Sequence, residues 1–250
     1  MISVIVPTCD RSSLLARALS DLAQQTRPPD EVLVVDNGRE PASVAGSTLP
    51  LRVLRAPVRC GAAQARNIGA TAAGGDWLVF LDDDDRWAPD YLEKLAAAIQ
   101  GTPGAAAHMG RLQILDRRGA LIREKLFDPR RAHQALYRIG IGSINFAVRR
   151  EVFLRVGGFD ARLPSAEDSA FLWTLHQAGE RIEVDARAVA QACSHPGARL
   201  SDAPNILRGE ALYFWFYRGH MTITERLLKC VDLSRLLLLY LLWKAGRQPS

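Results

Sequence analysis

Four consecutive aspartates, Asp82 to Asp85, stand directly after the apolar run Trp77-Leu78-Val79-Phe80-Leu81. Adjacent carboxylates repel one another unless a cation or solvent screens them. Hard oxygen donors gathered this way suit Mg²⁺ or Mn²⁺, and Mg²⁺ typically takes one or two carboxylates together with substrate phosphates. The competing reading is an acidic loop whose aspartates cap the next helix. A second acidic pair, Glu167-Asp168, opens a predicted helix, where the dipole favours carboxylates. Taken alone it reads as first-turn capping. His195 and Arg199 lie in a polar stretch, Ser194 to Arg199, where an imidazole could meet a metal and a guanidinium a phosphate. Each has an ordinary solvated alternative. Asp36-Asn37-Gly38 is by itself a strand-ending turn, and Arg66 by itself a surface helix residue.

The surrounding elements decide where these groups stand. Ile2 to Val6 is a short β-branched run ended by Pro7, and Glu31 to Val35 is a second, so both read as buried strands. Between them Ser12 or Ser13 can cap a helix whose apolar face is Leu14, Leu15, Ala18, Leu19, Leu22 and Ala23. Leu51 to Leu54 is a third strand, Ala62 to Ala73 a small-residue helix, and Asp76 to Leu81 a strand running into the aspartates. Pro89 to Ile99 reads as a helix with Pro near its first turn. Continuously apolar strands alternating with helices predict a parallel sheet covered on both faces. Ligands of such sheets sit beyond the carboxyl ends of the strands, which is where Asp82 to Asp85 fall. Further on, the pattern predicts strands at 109–115, 121–125, 144–148 and 182–189, helices at 150–156 and 166–178, and helix from Asn205 to near the end.

The ordered segments Ser3-Val4-Ile5-Val6-Pro7-Thr8, Val34-Val35-Asp36-Asn37-Gly38, Ala65-Arg66-Asn67-Ile68-Gly69, Gly75 to Asp85, Gly157-Gly158-Phe159-Asp160 and Glu167-Asp168 resemble a family 2 glycosyltransferase over residues 2 to 175. The resemblance implies an α/β GT-A fold: a mostly parallel central sheet with helices on both faces, followed here by a helical C-terminal tail. It implies a domain over 1–204, with a nucleotide-sugar-binding half at about 1–100 and an acceptor-binding half at about 101–204, and the tail at 205–250. It also implies an inverting transfer from a nucleotide-sugar with a divalent metal, Mg²⁺ or Mn²⁺. Carried onto this chain, Pro7, Thr8, Cys9 and Asp10 face the nucleobase, Asp36 hydrogen-bonds it, and Arg66 with Asn67 contacts the nucleoside or diphosphate. Asp82 and Asp84 supply the Asp-x-Asp motif, with Asp84 the direct metal ligand. Asp83 touches the ribose, and Asp85 supports the site or caps a helix. Asp168 becomes the general base, and Glu167 holds the acceptor or orients the site. His195 stands where a late histidine serves the metal or diphosphate, and Arg199 reaches a phosphate. Gly142-Ser143-Ile144-Asn145 resembles the loop that lines donor sugar and acceptor.

Two departures bear on specificity. Cys9 replaces the family's common aromatic and Asp10 its Asn, which weakens base stacking at that position and leaves a UDP-, dTDP- or GDP-sugar open. The segment after Asp168 lacks the aromatic-rich basic motif of processive synthases, which points to single transfer onto a glycan, lipid-linked sugar or small molecule. Two other readings are an inactive nucleotide-sugar-binding partner subunit and a metal-dependent nucleotidyltransferase. The latter would carry a glycine-rich basic loop after the first strand, and Pro7-Thr8-Cys9-Asp10-Arg11 has no glycine.

Bulk composition sets the outer bounds. The 250 residues are 48% hydrophobic and 24% charged, enough to bury a full core. Net charge is +5 without any basic block, so a nucleic-acid partner is not expected. Cys9, Cys60, Cys193 and Cys230 have neither zinc nor redox spacing, which fits free thiols in a cytoplasmic setting. No signal peptide is read at the N-terminus. The longest apolar run, Leu236 to Trp243, is too short to span a bilayer, which takes about 20 residues. Flanked by Arg235, Lys244 and Arg247, that tail suits packing, a homodimer contact or peripheral membrane contact.

Overall fold

The apolar runs read as buried strands become β1 (Ile2–Thr8), β2 (Glu31–Asp36), β3 (Leu51–Arg55) and β4 (Trp77–Phe80) in the computed structural model, which describes residues 1–130, 142–193 and 203–245. These four pair in parallel in the order β3-β2-β1-β4. β1 and β4 have no exposed residue, because both faces of this half of the sheet are covered. Beyond β4 the sheet turns mixed. β8 (Phe146–Arg149) is antiparallel to β4, β6 (Ala107–Leu115) is antiparallel to β8, and β9 (Ile182–Cys193) runs parallel to β6. The short β5 (Arg86–Trp87) closes that edge against β9, and β7 (Leu121–Lys125) pairs with β6 off the main path. One nine-stranded sheet therefore runs through both expected halves.

Alternation along the strands divides the core. Val4, Val6, Val32, Val34, Val79 and Leu81 face one layer with α1 (Ser12–Ala23) and α3 (Tyr91–Gly101). Ile5, Leu33, Val35, Leu78 and Phe80 face the other, with α2 (Ala62–Ala72), α4 (Arg150–Arg155) and α5 (Glu167–Gln177). The small residues of α2 have a reason: a Cβ on Gly69 would lie 2.6 Å from Ile5 Cγ2 and 3.0 Å from Val35 Cγ2, so this helix sits almost on the sheet. Five rings, Phe80, Phe146, Phe153, Phe159 and Phe171, pack around one another in that layer with centroids 5.0 to 6.2 Å apart.

Several boundaries differ from the expectation. α1 begins at Ser12, with Arg11 in the cap position and no side-chain cap, so neither Ser12 nor Ser13 caps it. α3 begins at Tyr91 with Asp90 as its cap, which removes Asp85 from the helix-capping role. Ser143–Asn145 form a buried 3₁₀ turn leading into β8, where a single strand from 144 was expected. The C-terminal region is two helices, α6 (Ala203–Tyr217) and α7 (Ile223–Ala245). α6 belongs to the core, since Tyr213 is fully buried there. α7 starts with a reciprocal cap: Glu225 accepts from the Thr222 amide at 2.7 Å, and the Glu225 amide donates to Thr222 Oγ1 at 3.3 Å. Buried Lys229 pairs with Glu210 and ties α7 to α6. α7 exposes Leu227 before that anchor and Val231, Leu238 and Leu242 past it, yet no helix among the described residues is long and apolar enough to cross a membrane.

Candidate functional site

The carboxyl ends of β1, β2 and β4 meet at one crevice, as a parallel sheet dictates. Leaving β4, the chain makes a tight turn in which the Asp85 amide donates to the Asp82 carbonyl at 3.1 Å. That turn gathers Asp82, Asp84 and Asp85, each offering one carboxylate oxygen, all within 4.8 Å of one another. Asp85, expected as a support or cap, is thus part of the cluster, and its Oδ1 also accepts from the Cys193 amide of β9 at 2.8 Å. An all-carboxylate oxygen set of this size fits a small hard divalent cation.

Asp83 turns the other way. Its Oδ2 accepts from the Thr8 hydroxyl at 2.7 Å and its Oδ1 from Arg11 Nη1 at 3.1 Å. Burial pushes its carboxyl up to about 6, against the pull of the Thr8 hydrogen bond and of Arg11. Arg11 Nη1 also lies 3.3 Å from Asp84 Oδ2, and Arg17 Nη2 donates to the Asp84 carbonyl at 2.9 Å.

Arg66, expected at the diphosphate, is the most buried large side chain at the site, 1% exposed. It donates to Asp82 Oδ1 at 2.5 Å and to Glu167 Oε1 at 2.7 Å, joining the two acidic groups. Burial disfavours its charge, but the two carboxylates hold the guanidinium protonated well beyond its ordinary range. Its Nε is buried without a hydrogen-bond partner among the described residues. Asn67 serves differently from the expectation. Both ends of its amide are spent on Phe159, donating to the carbonyl at 2.8 Å and accepting from the amide at 2.9 Å. Gly158 beside it has φ +69°, and a Cβ there would lie 2.6 Å from Asn67 Oδ1, so glycine is required twice over.

Glu167 and Asp168 open α5 after Ala166, which holds the left-handed conformation at φ 66°. Asp168 Oδ1 accepts from the Ser169 amide at 2.7 Å. Its walls are apolar: Met109, Phe146, Phe171 and Ile182 line the same small cavity. Burial first, and Glu167 second, push the Asp168 carboxyl up to about 8. Lys125 of β7 is near enough to interact with Asp168, and burial lowers its ammonium.

At the β2 end, Asp36 is 1% exposed and accepts from the Gly38 amide at 2.8 Å, the Ala42 amide at 2.7 Å and Arg55. These donors hold it below the usual carboxylate range in spite of burial. Asp10, at φ 55°, accepts from the Arg39 amide at 2.7 Å. Asp10, Arg11, Ser12, Arg39, Glu40 and Arg59 line a cleft of about 380 Å³, while Pro7 and Thr8 lie buried in β1. Asn145 donates to the Gly110 carbonyl at 2.8 Å, and its Oδ1 is buried with no partner among the described residues. His195 and Arg199 lie outside the described residues. Reading the sequence missed Arg11, Arg17 and Arg55. The available signal was that Arg11 stands three residues past the end of β1.

Residues 3–158 match the profile of Glycosyl transferase family 2. An uncharacterized glycosyltransferase of Haemophilus influenzae is 34% identical over 184 residues, covering 71% of this chain and 62% of that protein. The chain thus spans less than two thirds of that relative's length. Among solved structures, S. aureus TarS 1-349 in complex with UDP-GlcNAc superposes with a TM-score of 0.65 at 20% identity, covering 94% of this chain and 71% of that one. The mannosyltransferase PcManGT from Pyrobaculum calidifontis, in complex with GDP-Man and Mn²⁺, gives 0.61 at 20% identity over 100% of this chain and 76% of its own.

Proposed function

Since the chain belongs to glycosyl transferase family 2, we propose that it moves a sugar from a nucleotide-diphosphate-sugar to an acceptor hydroxyl, once per encounter and with inversion at the sugar carbon. The observation that carries this reading is the cluster of Asp82, Asp84 and Asp85 at the end of β4, joined to Glu167, the chain neighbour of Asp168, through the buried guanidinium of Arg66. Asp84, Asp82 and Asp85 hold the divalent cation, Mg²⁺ or Mn²⁺, with His195 as a further ligand. When bound, that ion offsets the negative charge that grows on the departing diphosphate. Arg66 keeps Asp82 and Glu167 in place. Asp168 removes the proton from the acceptor hydroxyl as its oxygen bonds to the anomeric carbon and the bond to the diphosphate oxygen breaks. The proton ends on the Asp168 carboxylate and the electron pair on the diphosphate. A carboxyl held at about 8 by an apolar pocket is a proton acceptor tuned near working pH.

The donor half is about 1–100 and the acceptor half about 101–204, with Gly142 to Asn145 as the loop that lines the donor sugar and acceptor. The donor base is held at the cleft beside Asp10 and Asp36, with Arg199 toward the phosphates. UDP-, dTDP- and GDP-sugars are the candidate donors, and a glycan, a lipid-linked sugar or a small alcohol the acceptor. The exposed apolar side of α7 serves a second copy of the chain or the cytoplasmic face of a membrane. The direct test is calorimetry of nucleoside diphosphate binding with Mn²⁺. Asp84→Ala abolishes the metal-dependent part of the affinity; an unchanged affinity would overturn the assignment.

A further inference from the structure

Among the described residues two arginines pair with carboxylates of the aspartate cluster, while Arg17 meets only the Asp84 carbonyl, and the two differ in what they are able to do. Arg66 is 1% exposed and pinned between Asp82 and Glu167. Arg11 has a side chain 30% exposed, contacts Asp83 and Asp84 at 3.1 and 3.3 Å, and also lines the cleft with Arg39 and Arg59. One guanidinium therefore borders both the acidic cluster and the cleft. Asp84, whose Oδ2 faces Arg11, is also in the group able to ligate a cation. A doubly charged ion bound there and a guanidinium at 3.3 Å from the same carboxylate are like charges competing for one anion.

We propose that Arg11 is a resident counter-cation. Without a metal it neutralises Asp83 and Asp84. When the divalent ion takes Asp84, Arg11 turns toward the cleft and holds the nucleoside diphosphate, keeping Asp83 as its pivot. This inference rests on the metal and donor site proposed above, and it makes Arg11 oppose metal binding while favouring nucleotide binding. A merely structural arginine would favour both. Guanidinium is suited to the second task because its forked donors match phosphate oxygens.

The test uses the full chain and Mn²⁺ alone, with unbound Mn²⁺ counted by electron paramagnetic resonance. Arg11→Gln binds Mn²⁺ about tenfold tighter than the parent, because the competing charge is gone. In saturating Mn²⁺ the same variant binds UDP and GDP about tenfold more weakly by calorimetry. Arg11→Lys, which keeps the charge, retains the parent's Mn²⁺ affinity. Unchanged or weaker Mn²⁺ binding in Arg11→Gln overturns the proposal, as does equal tightening in Arg11→Lys. Asp84→Asn separates the two layers. If it abolishes Mn²⁺ binding while Arg11→Gln has no effect, the metal site stands and the counter-cation fails. If Asp84→Asn binds Mn²⁺ like the parent, the metal site fails and this inference goes with it.

Discussion

The molecule has two acidic groups of similar composition, Asp82 to Asp85 at the end of β4 and Glu167-Asp168 at the start of α5, and they are treated differently. The first is surrounded by positive groups and hydrogen-bond donors: Arg11, Arg66, Thr8 and the Cys193 amide all meet it. The second is divided. Glu167 receives Arg66, while Asp168 is left against Met109, Phe146 and Phe171. The difference is one of degree: burial raises carboxyls in both groups, but the Thr8 hydroxyl and Arg11 hold Asp83 back at about 6, while Asp168, buried and beside Glu167, reaches about 8.

The sharpest way to break that contrast is Asp168→Asn. It is expected to leave nucleotide binding intact and lower kcat by about 10²- to 10⁴-fold, the usual weight of a positioned base. A variant with near-normal turnover in a transfer assay would remove Asp168 from proton transfer. Arg66→Met comes next. It strands Asp82 and Glu167 without their shared cation, and breaking a buried pair by removing one partner costs about 3–5 kcal/mol. Urea unfolding should show that loss, and a change under about 1 kcal/mol would mean that the bridge is solvated.

A smaller effect, but one that isolates the Asp168 environment, is pH. The carboxyl must be ionised to accept a proton, so kcat/KM is expected to fall about tenfold per pH unit below about 8 and level off above it. Stability runs in the other direction. The folded-state value lies above the ordinary 3.8, so the folded protein holds the proton more tightly, and stability declines as pH rises from about 4 through about 8. Asp168→Asn removes this term, and its melting temperature should gain on the parent's across that window. Parallel curves for parent and variant would place Asp168 in water.

How legible all this was depended on sequence distance. The aspartates could be placed because they directly follow an apolar strand, and the parallel order of β1, β2 and β4 follows from alternating strands and helices. Long-range pairings left no trace in the sequence. Arg66 and Glu167 are separated by 101 residues, and Asn67 and Phe159 by 92, so neither partner could be named beforehand. Asp36 was legible as a strand-ending acid but not as one already occupied by Arg55 from the next strand. In the C-terminal region, helical periodicity was plain, whereas the burial of α6 and the exposure of α7 depend on which neighbour each helix meets.

The Asn67 clasp has a mechanical consequence. α2 belongs to the first half of the chain, yet it grips the second half through both ends of one amide and through the Arg66–Glu167 bridge. Swinging the halves apart like a clamshell would tear these three contacts from α2. On the transfer reading, turnover is therefore expected to be tuned by segments outside this α2 frame rather than by a waist in the molecule.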